Sequence, residues 1–176
     1  MTADNSARSG VTIRPSRADD IATLQAIEIA AAELFRGTGL IEMDAMDIVD
    51  RDAHRKAVDS GMSLLAEAEG VPAGFVLGEV IGPDACLHEL DVDPAHQRKG
   101  IGAALVEAFC AHCAAEGLAS VYLSTFRDVA WNAPFYARLG FREVRKDDYL
   151  PWMREIEAQQ AQSLDVSKRL FMQRVL

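Results

Sequence analysis

Two glycines and two positive charges lie close together midway along the chain. The segment Asp93–Leu105 turns through Gly100 and Gly102 and then continues with helical spacing of its apolar residues. Such a loop directs several backbone amides at one anion, and the dipole of the following helix adds positive potential. With Arg98 and Lys99 beside the glycines, the loop is a candidate phosphate-binding site. Two glycines before a helix also serve simply as turn and packing residues.

Two common phosphate-binding loops do not fit this segment. A Walker A loop ends in Gly-Lys followed by Ser or Thr, and the segment has no such ending. A dinucleotide-binding fingerprint needs a third small residue where Leu105 stands, and it usually follows the first strand of its domain. Both alternatives are therefore set aside.

The neighbouring residues indicate a third kind of loop. Gln97-x-x-Gly100-x-Gly102 follows the strand-like run Leu87–Pro94, a pattern that resembles the acyl-CoA loop of the GNAT superfamily of N-acetyltransferases. A second segment, Trp131–Phe141, contains Phe-Tyr-x-x-Leu-Gly-Phe and resembles the second motif of that family. The order of predicted elements agrees over nearly the whole chain. Either motif alone is moderately specific, whereas both at this separation form a strong signal.

The resemblance implies that acetyl-CoA is a co-substrate and where it binds. Its pyrophosphate is expected on the backbone amides from Arg98 to Ala103. Its pantetheine arm is expected between the strand ending at Val92 and the strand through Leu123, hydrogen-bonded to the backbone as an added strand would be. The cofactor-binding residues expected on this basis are Leu90, Asp91, Val92, Gln97, Arg98, Lys99, Gly100, Ile101, Gly102, Ala103 and Asn132.

The role of Asn132 has two interpretations. Its position matches a pantetheine contact in the family, and it is equally well placed to cap the short helix that follows. The commonest family pattern has Asn seven residues before Tyr136, where this chain has Val129. This contact is the weakest part of the resemblance.

Acyl transfer from a thioester to an amine needs a neutral acceptor nitrogen, a donor to the developing oxyanion and a proton for the departing thiolate. A strand amide near Val92 is the expected oxyanion donor. The resemblance assigns the proton donor to Tyr136; the alternative is a tyrosine that only packs between Phe135 and Phe141.

His88 and Glu89 are the candidates for the base, because the family places an acidic residue or a histidine on this strand. An imidazole accepts protons near neutral pH, whereas a carboxyl group needs burial to raise its pKa. On a regular strand the two side chains point to opposite faces, so at most one faces the reacting centre. For either residue, the alternative is a half-buried polar side chain bonded to its neighbours.

Cysteine and metal chemistry are not expected. The cysteines have no evident base partner, and Cys110 and Cys113 fall inside a helical run, which favours a packing role over a redox or metal role. The histidines His54, His96 and His112 do not cluster with one another or with the cysteines, so we expect no metal.

The elements that must position these residues predict a mixed α/β fold, GNAT-like, with a central, mostly antiparallel sheet and helices on both faces. The predicted strands are Val11–Arg14, Met62–Glu69, Ala73–Ile81, Ala85–Val92, Leu118–Phe126, Phe141–Val144 and Arg169–Leu176. The predicted helices are Ile21–Leu34, Asp44–Val58, Ile101–Glu116, Trp131–Leu139 and Pro151 to about Gln162.

Length and composition favour one domain. A chain of 176 residues with 49% hydrophobic residues buries one continuous core. We expect residues 1–10 to form a disordered tail and residues 11–176 to form a single N-acetyltransferase domain. The net charge of −9 disfavours nucleic acid as a partner. The absence of a long apolar segment disfavours a membrane and favours the cytoplasm.

The predicted function is transfer of the acetyl group of acetyl-CoA to a primary amine of a small molecule or protein, in a ternary complex. One alternative is a noncatalytic acyl-CoA-binding sensor module, against which the acid and base candidates argue. Another is an interaction platform, which would not be stabilised by the coenzyme. The acceptor is not specified, although its pocket is expected within Phe35–Asp59 and the C-terminal hairpin. Glu33, Glu42 and Asp44 are candidates to attract an ammonium group. A homodimer is compatible with the resemblance.

Overall fold

The computed structural model describes residues 10–42 and 48–176. Its strands are β1 (Val11–Pro15), β2 (Ser63–Ala68), β3 (Val71–Ile81), β4 (Asp84–Val92), β5 (Ser120–Phe126), β6 (Arg142–Glu143) and β7 (Arg169–Val175). Its α-helices are α1 (Ile21–Ala32), α2 (Arg51–Asp59), α3 (Ile101–Ala115), α4 (Ala133–Arg138) and α5 (Pro151–Gln160). Among the described residues, no helix is long and apolar enough to cross a membrane.

The seven strands form one sheet in the order β1-β2-β3-β4-β5-β7-β6. Neighbouring strands are antiparallel except for the central pair β4 and β5, which is parallel because α3 connects the two strands as a crossover. The predicted mixed, mostly antiparallel sheet is therefore confirmed.

The helices cover both faces of the sheet. Leu105 and Phe109 of α3 pack in the largest core cluster, which also contains Ala133 of α4. On the opposite face, Leu24 of α1 packs with the second cluster and Met153 of α5 with the third. The sheet thus separates an α3/α4 layer from an α1/α2/α5 layer.

The central strands part soon after they pair. The parallel ladder between β4 and β5 ends at the pair Leu87–Leu123, although both strands continue. At this point β4 also contains a β-bulge, since Leu87 lies opposite Gly78 and Glu89 opposite Leu77, which leaves His88 as the extra residue. A bulge bends its strand and interrupts pairing, so the geometry of β4 accounts for the gap that opens beside it.

The bulge also changes which side chains face each layer. Leu87 packs in the α3-side core before the bulge, and Leu90 and Val92 pack against that same core after it. The alternation has therefore shifted by one residue, and Glu89 and Asp91 project on the α1 side. The expectation that His88 and Glu89 point to opposite faces is wrong.

Both side chains lie on the α1/α2 side. His88 hydrogen-bonds to Glu79, which also pairs with Lys56 of α2. Glu89 lies opposite Leu77, whose side chain packs in the α1/α2 cluster. The correction follows from the bulge, which strict alternation ignores.

The start of the second helix also differs from the sequence prediction. Helix α2 begins at Arg51 rather than Asp44, because the Asp50 carboxylate accepts a hydrogen bond from the Ala53 amide at 2.8 Å and so caps the helix. Asp44 itself, and residues 1–9 of the predicted tail, lie outside the described residues. Gly10 accepts a hydrogen bond from the Glu69 amide at 2.9 Å just before β1, which begins at Val11 as predicted.

Gly78→Ala tests the packing at the bulge. A Cβ at Gly78 would clash with the Cys86 carbonyl oxygen and would lie 2.8 Å from Phe109. We expect this variant to lose about 2–4 kcal/mol of unfolding free energy in urea titrations, as overpacked cores do. Gly82→Ala is the control in the following turn, where φ is +60° and no atom lies within 4 Å. It should lose only about 1 kcal/mol from backbone strain. Equal losses in the two variants would contradict this account.

Candidate active site

A cleft of about 1300 Å³ opens where β4 and β5 part. Its walls come from β4, β5, the loop after β4, the N-terminus of α3, and helices α1, α4 and α5. Because it passes through the gap in the sheet, it joins the α3/α4 layer to the α1/α5 layer. A ligand can therefore extend from one face of the sheet to the other.

The α3 end of the cleft presents backbone amides. Gly100 has the left-handed φ of +80° and precedes the first residue of α3. Its carbonyl accepts the first helical hydrogen bond, from the Ala104 amide at 3.0 Å, so the amides from Ile101 to Ala103 have no acceptor within the helix. Such amides, with the helix dipole, form an anion-binding site.

The loop after β4 is held by its own side chains. Gln97 donates to the Val92 carbonyl oxygen at 3.1 Å, which ties the loop to the end of the strand. Lys99 donates to the Ala95 carbonyl oxygen at 3.1 Å and does not line the cleft. Arg98, at a φ of +60°, does line it. Of the two expected positive charges, one therefore faces the cleft.

The edge of β4 that faces the gap carries unpaired backbone groups. The Asp93 amide donates to the Ala73 carbonyl oxygen of β3. Because hydrogen-bonding direction alternates along an antiparallel pair, Asp91 also faces β3, whereas the amides of Leu90 and Val92 face the gap. An extended chain placed in the gap can pair with these groups as another strand would.

Asn132 lies in the cleft wall at the start of α4. Its side chain makes no capping hydrogen bond to α4, so the capping interpretation is wrong. Its Oδ1 instead accepts a hydrogen bond from the Thr125 hydroxyl of β5 at 2.7 Å. This bond orients the amide and leaves its nitrogen available to a ligand in the gap.

Tyr136 both packs against its aromatic neighbours and lines the cleft, so the packing alternative does not exclude a role as proton donor. It is 8% exposed, and its ring contacts Phe135 and Phe141 with centroid separations of 5.0 and 5.7 Å. It also lines the cleft. Burial, followed by the charges of Asp91 and Glu89, raises the pKa of the Tyr136 phenol. The hydroxyl therefore keeps its proton over the physiological range.

Three carboxylates lie together on the α1 side of the cleft: Glu28, Glu89 and Asp91. Burial raises the pKa of Glu89 well above its ordinary value, and the charges of Asp91 and Glu28 raise it further. Burial and the charge of Glu28 raise the pKa of Asp91 to about 8. Glu89 and Asp91 consequently hold protons at higher pH than ordinary carboxylates do.

Arg169 supplies a positive charge that acts on Glu89. Its guanidinium donates to the Gln160 side chain at 3.1 Å and to the Ser124 carbonyl oxygen at 3.0 Å, and it lies 4.6 Å from the ring centroid of Phe126. Burial lowers the pKa of Arg169 to about 10, while the charge of Glu89 opposes that shift. The side chain remains positive at neutral pH and is fixed in position.

His88 also lines the cleft but has a different partner. Its Nε2 lies 2.9 Å from Glu79 Oε1, and the side chain is 34% exposed. The groups whose charges act on Tyr136 are Asp91, Glu89 and Arg169. Glu89 is therefore the base candidate that the fold brings to the phenol.

The thiols lie in the core. Cys86, Cys110 and Cys113 are free and buried. Burial raises the pKa of each, to about 12 for Cys86. Within residues 10–42 and 48–176, no group of three or more His, Cys, Asp or Glu side chains is arranged to hold a metal ion.

The sequence reasoning missed Glu28 and Arg169. Glu28 had a usable signal, because it lies four residues after Leu24 and three before Ala31 and so falls on the buried stripe of α1. Arg169 had no comparable signal, since a charged residue at the start of an edge-like strand is ordinary. Of the three acidic candidates for the acceptor pocket, Glu42 lines the cleft, Glu33 pairs with Arg36 away from it, and Asp44 is outside the described residues.

Comparison with known proteins identifies relatives of this chain. A sequence model described as the acetyltransferase (GNAT) family matches residues 24–141. A [ribosomal protein bS18]-alanine N-acetyltransferase from Escherichia coli is 33% identical over 82 residues, covering 46% of this chain and 55% of that protein. A mycothiol acetyltransferase from Clavibacter michiganensis is 33% identical over 140 residues, covering 79% of this chain and 45% of that protein. The chain spans about half the length of these relatives.

A solved structure shares the fold. The PaiA N-acetyltransferase from Thermoplasma acidophilum, in complex with coenzyme A, superposes with a TM-score of 0.70 at 16% identity. The match covers 94% of this chain and 99% of that one. The fold of the described residues is thus that of known N-acetyltransferases.

Tyr136→Phe should change stability little, because no hydrogen bond from the described residues reaches the hydroxyl and the ring contacts remain. We expect less than about 0.5 kcal/mol by urea denaturation. Tyr149→Phe is the matched control, because the Tyr149 hydroxyl accepts a buried hydrogen bond from the Phe171 amide at 3.2 Å. It should lose about 1–3 kcal/mol. A large loss for Tyr136→Phe would show that its hydroxyl has a structural partner.

Proposed function

The chain belongs to the acetyltransferase (GNAT) family, and we propose that it transfers the acetyl group of acetyl-CoA to a primary amine by direct attack in a ternary complex. One observation carries the proposal. The gap between β4 and β5 joins an anion-binding helix end, a free strand edge and the pair Glu89 and Tyr136 within a single cleft. A noncatalytic binding module needs the first two features only.

The cofactor occupies the α3 half of the cleft. The amides from Ile101 to Ala103, with Arg98, hold the pyrophosphate. The pantetheine arm lies in the gap, where Leu90 and Val92 offer backbone groups and Asn132 offers its amide nitrogen. Gln97 already satisfies the Val92 carbonyl, so at Val92 only the amide is left to bind the thioester end. That amide donates to the developing oxyanion.

Glu89 acts as the base. Its raised pKa lets it accept a proton near neutral pH, a task for which an ordinary carboxylate is too weak. The acceptor nitrogen loses a proton to Glu89 and attacks the thioester carbon. The new N–C bond forms and the C–S bond breaks, the nitrogen releases its second proton to solvent, and Glu89 then releases the proton that it took.

Tyr136 acts as the acid. Its phenol keeps its proton and lies in the same electrostatic cluster as Glu89, so it donates to the coenzyme A sulfur as the C–S bond breaks. Solvent returns a proton to the phenolate. The products are the N-acetylated amine and coenzyme A thiol.

We place the protein in the cytoplasm. The buried free thiols support a reducing compartment, because none is paired in a disulfide. The acceptor class proposed from the relatives' names is broad: one is named for an alanine of ribosomal protein bS18, and another for mycothiol.

Gly100→Val should abolish binding of acetyl-CoA, since a β-branched side chain at a φ of +80° distorts the loop that presents the amides. Gly117→Val is the control at the other end of α3, with a φ of +79° and equally open space. Both variants should lose similar stability. At 100 times its Kd, acetyl-CoA should stabilise the wild type and Gly117→Val by about 2.7 kcal/mol in thermal shift, and leave Gly100→Val unchanged. Equal stabilisation of all three would remove the loop from the binding site.

Glu89→Gln should lower kcat/KM by about 100-fold or more below neutral pH. The raised pKa of Glu89 means that the base is lost as pH falls through it, so the wild-type rate should decline toward acid pH. The deficit of Glu89→Gln should shrink as pH approaches the acceptor's own pKa. His88→Asn should keep the wild-type profile, because His88 is engaged with Glu79. If His88→Asn loses the acid limb and Glu89→Gln keeps it, the assignment is reversed.

A further inference from the structure

The α1 side of the cleft contains a carboxylate that the proposed chemistry does not use. Glu28 is 7% exposed and lines the cleft. Its Oε1 accepts a hydrogen bond from the Val49 amide at 2.8 Å, which fixes the carboxylate. Its Oε2 is buried without a hydrogen bond among the described residues and lies 3.7 Å from His54 Nε2. A buried carboxylate oxygen without a donor is costly unless a ligand supplies one.

A second carboxylate has the same property. Asp91 also lines the cleft, and its Oδ2 is buried without a hydrogen bond. Glu28 acts electrostatically on both Asp91 and Glu89, so the three groups lie within one local field. Arg169 supplies one positive charge toward Glu89. A bound cation favours the ionised forms of these carboxylates, whereas an added anion opposes them, so this half of the cleft is complementary to a cation and disfavours an anion.

The rim beside the carboxylates is apolar and aromatic. The Phe35 ring lies 6.0 Å from that of Trp131 and 5.7 Å from that of Phe126. All three rings line the cleft, together with Leu34. Trp131 is 44% exposed and Leu34 is 41% exposed, so both surfaces are open to a ligand body.

We propose that Glu28 and Asp91 form the acceptor subsite, which binds the ammonium group of an apolar or aromatic primary amine that carries no carboxylate next to its nitrogen. The inference rests on the proposed acetyl transfer and names its substrate class. Glu28 Oε2 and Asp91 Oδ2, which have no hydrogen bond among the described residues, take N–H donors from the ammonium group. Glu89 then removes the proton, and the apolar body packs against Phe35 and Trp131.

The substrate test uses three amines that differ at one position: 2-phenylethylamine, phenylalaninamide and phenylalanine. Their kcat/KM values are compared per concentration of the ammonium form. We expect the first two to be acetylated and phenylalanine to be at least ~100-fold poorer, because its carboxylate meets like charges. Phenylalaninamide matches phenylalanine in size, so its acceptance separates charge from fit. If phenylalanine matches its amide, or if both are rejected equally, the proposal is overturned.

The residue test uses Glu28→Gln, whose amide oxygen still accepts from Val49. We expect the KM for 2-phenylethylamine to rise about 10- to 100-fold with kcat little changed. The acid limb of the rate profile should move to lower pH, because one negative neighbour of Glu89 is gone; a purely structural defect would not move it. Glu33→Gln removes an exposed charge just after the same helix and should match the wild type. An unchanged KM in Glu28→Gln overturns the proposal.

Two further measurements keep the result decisive. If Glu28→Gln does not fold, Asp91→Asn replaces it with the same expected rise in KM. Calorimetric titration of 2-phenylethylammonium into the protein with coenzyme A bound measures the subsite without turnover. Binding that Glu28→Gln weakens, with no acetylation of any amine, would sustain the subsite and reject the proposed acetyl transfer. Acetylation that favours phenylalanine over its amide would sustain the proposed acetyl transfer and reject the subsite.

Discussion

The parting of β4 from β5 is the constraint on which the rest of the site depends. Parallel strands normally remain paired, and the ladder stops here at Leu87–Leu123, where the bulge at His88 bends β4. The gap exposes backbone amides at Leu90 and Val92 that need hydrogen-bond partners. It also gives α3 an accessible N-terminus and gives α1 a face toward the same cleft. A continuous sheet would bury these groups and separate the two helical layers.

Burial gives the groups in the cleft their chemical properties. Glu89 and Asp91 have raised pKa values because they are removed from water and lie near other carboxylates. The same burial keeps the Tyr136 phenol protonated. Arg169 is held by Gln160 and Ser124, so its positive charge partly offsets the carboxylates. The arrangement pairs a carboxylate able to accept a proton with a phenol able to give one, which is what acyl transfer to an amine requires.

Much of the fold followed from local patterns in the sequence. The glycine loop before α3 and the Phe-Tyr-x-x-Leu-Gly-Phe segment identified the family. Alternating or helical spacing predicted every described strand and α-helix, with small shifts at most ends and a large one at the start of α2, which begins at Arg51 rather than Asp44. The bulge at His88 could not be predicted, because it depends on how β4 aligns with Gly78 of β3. The bulge determines which side chains share a face of the sheet, so the predicted orientation of His88 relative to Glu89 was wrong. Arg169 lines the cleft because β7 lies next to β5 in the sheet, and the residues around Arg169 in the sequence do not encode that strand order.

Residue-resolved amide exchange with and without coenzyme A tests the central claim most directly. The account predicts that the Leu90 and Val92 amides exchange quickly in the free protein and become protected when coenzyme A binds, because the pantetheine arm pairs with the open edge of β4. The Asp91 amide between them faces β3 and should be protected in both states. Protection of Leu90 and Val92 that coenzyme A does not change, while coenzyme A binds, would contradict the claim that the gap in the sheet is the cofactor site.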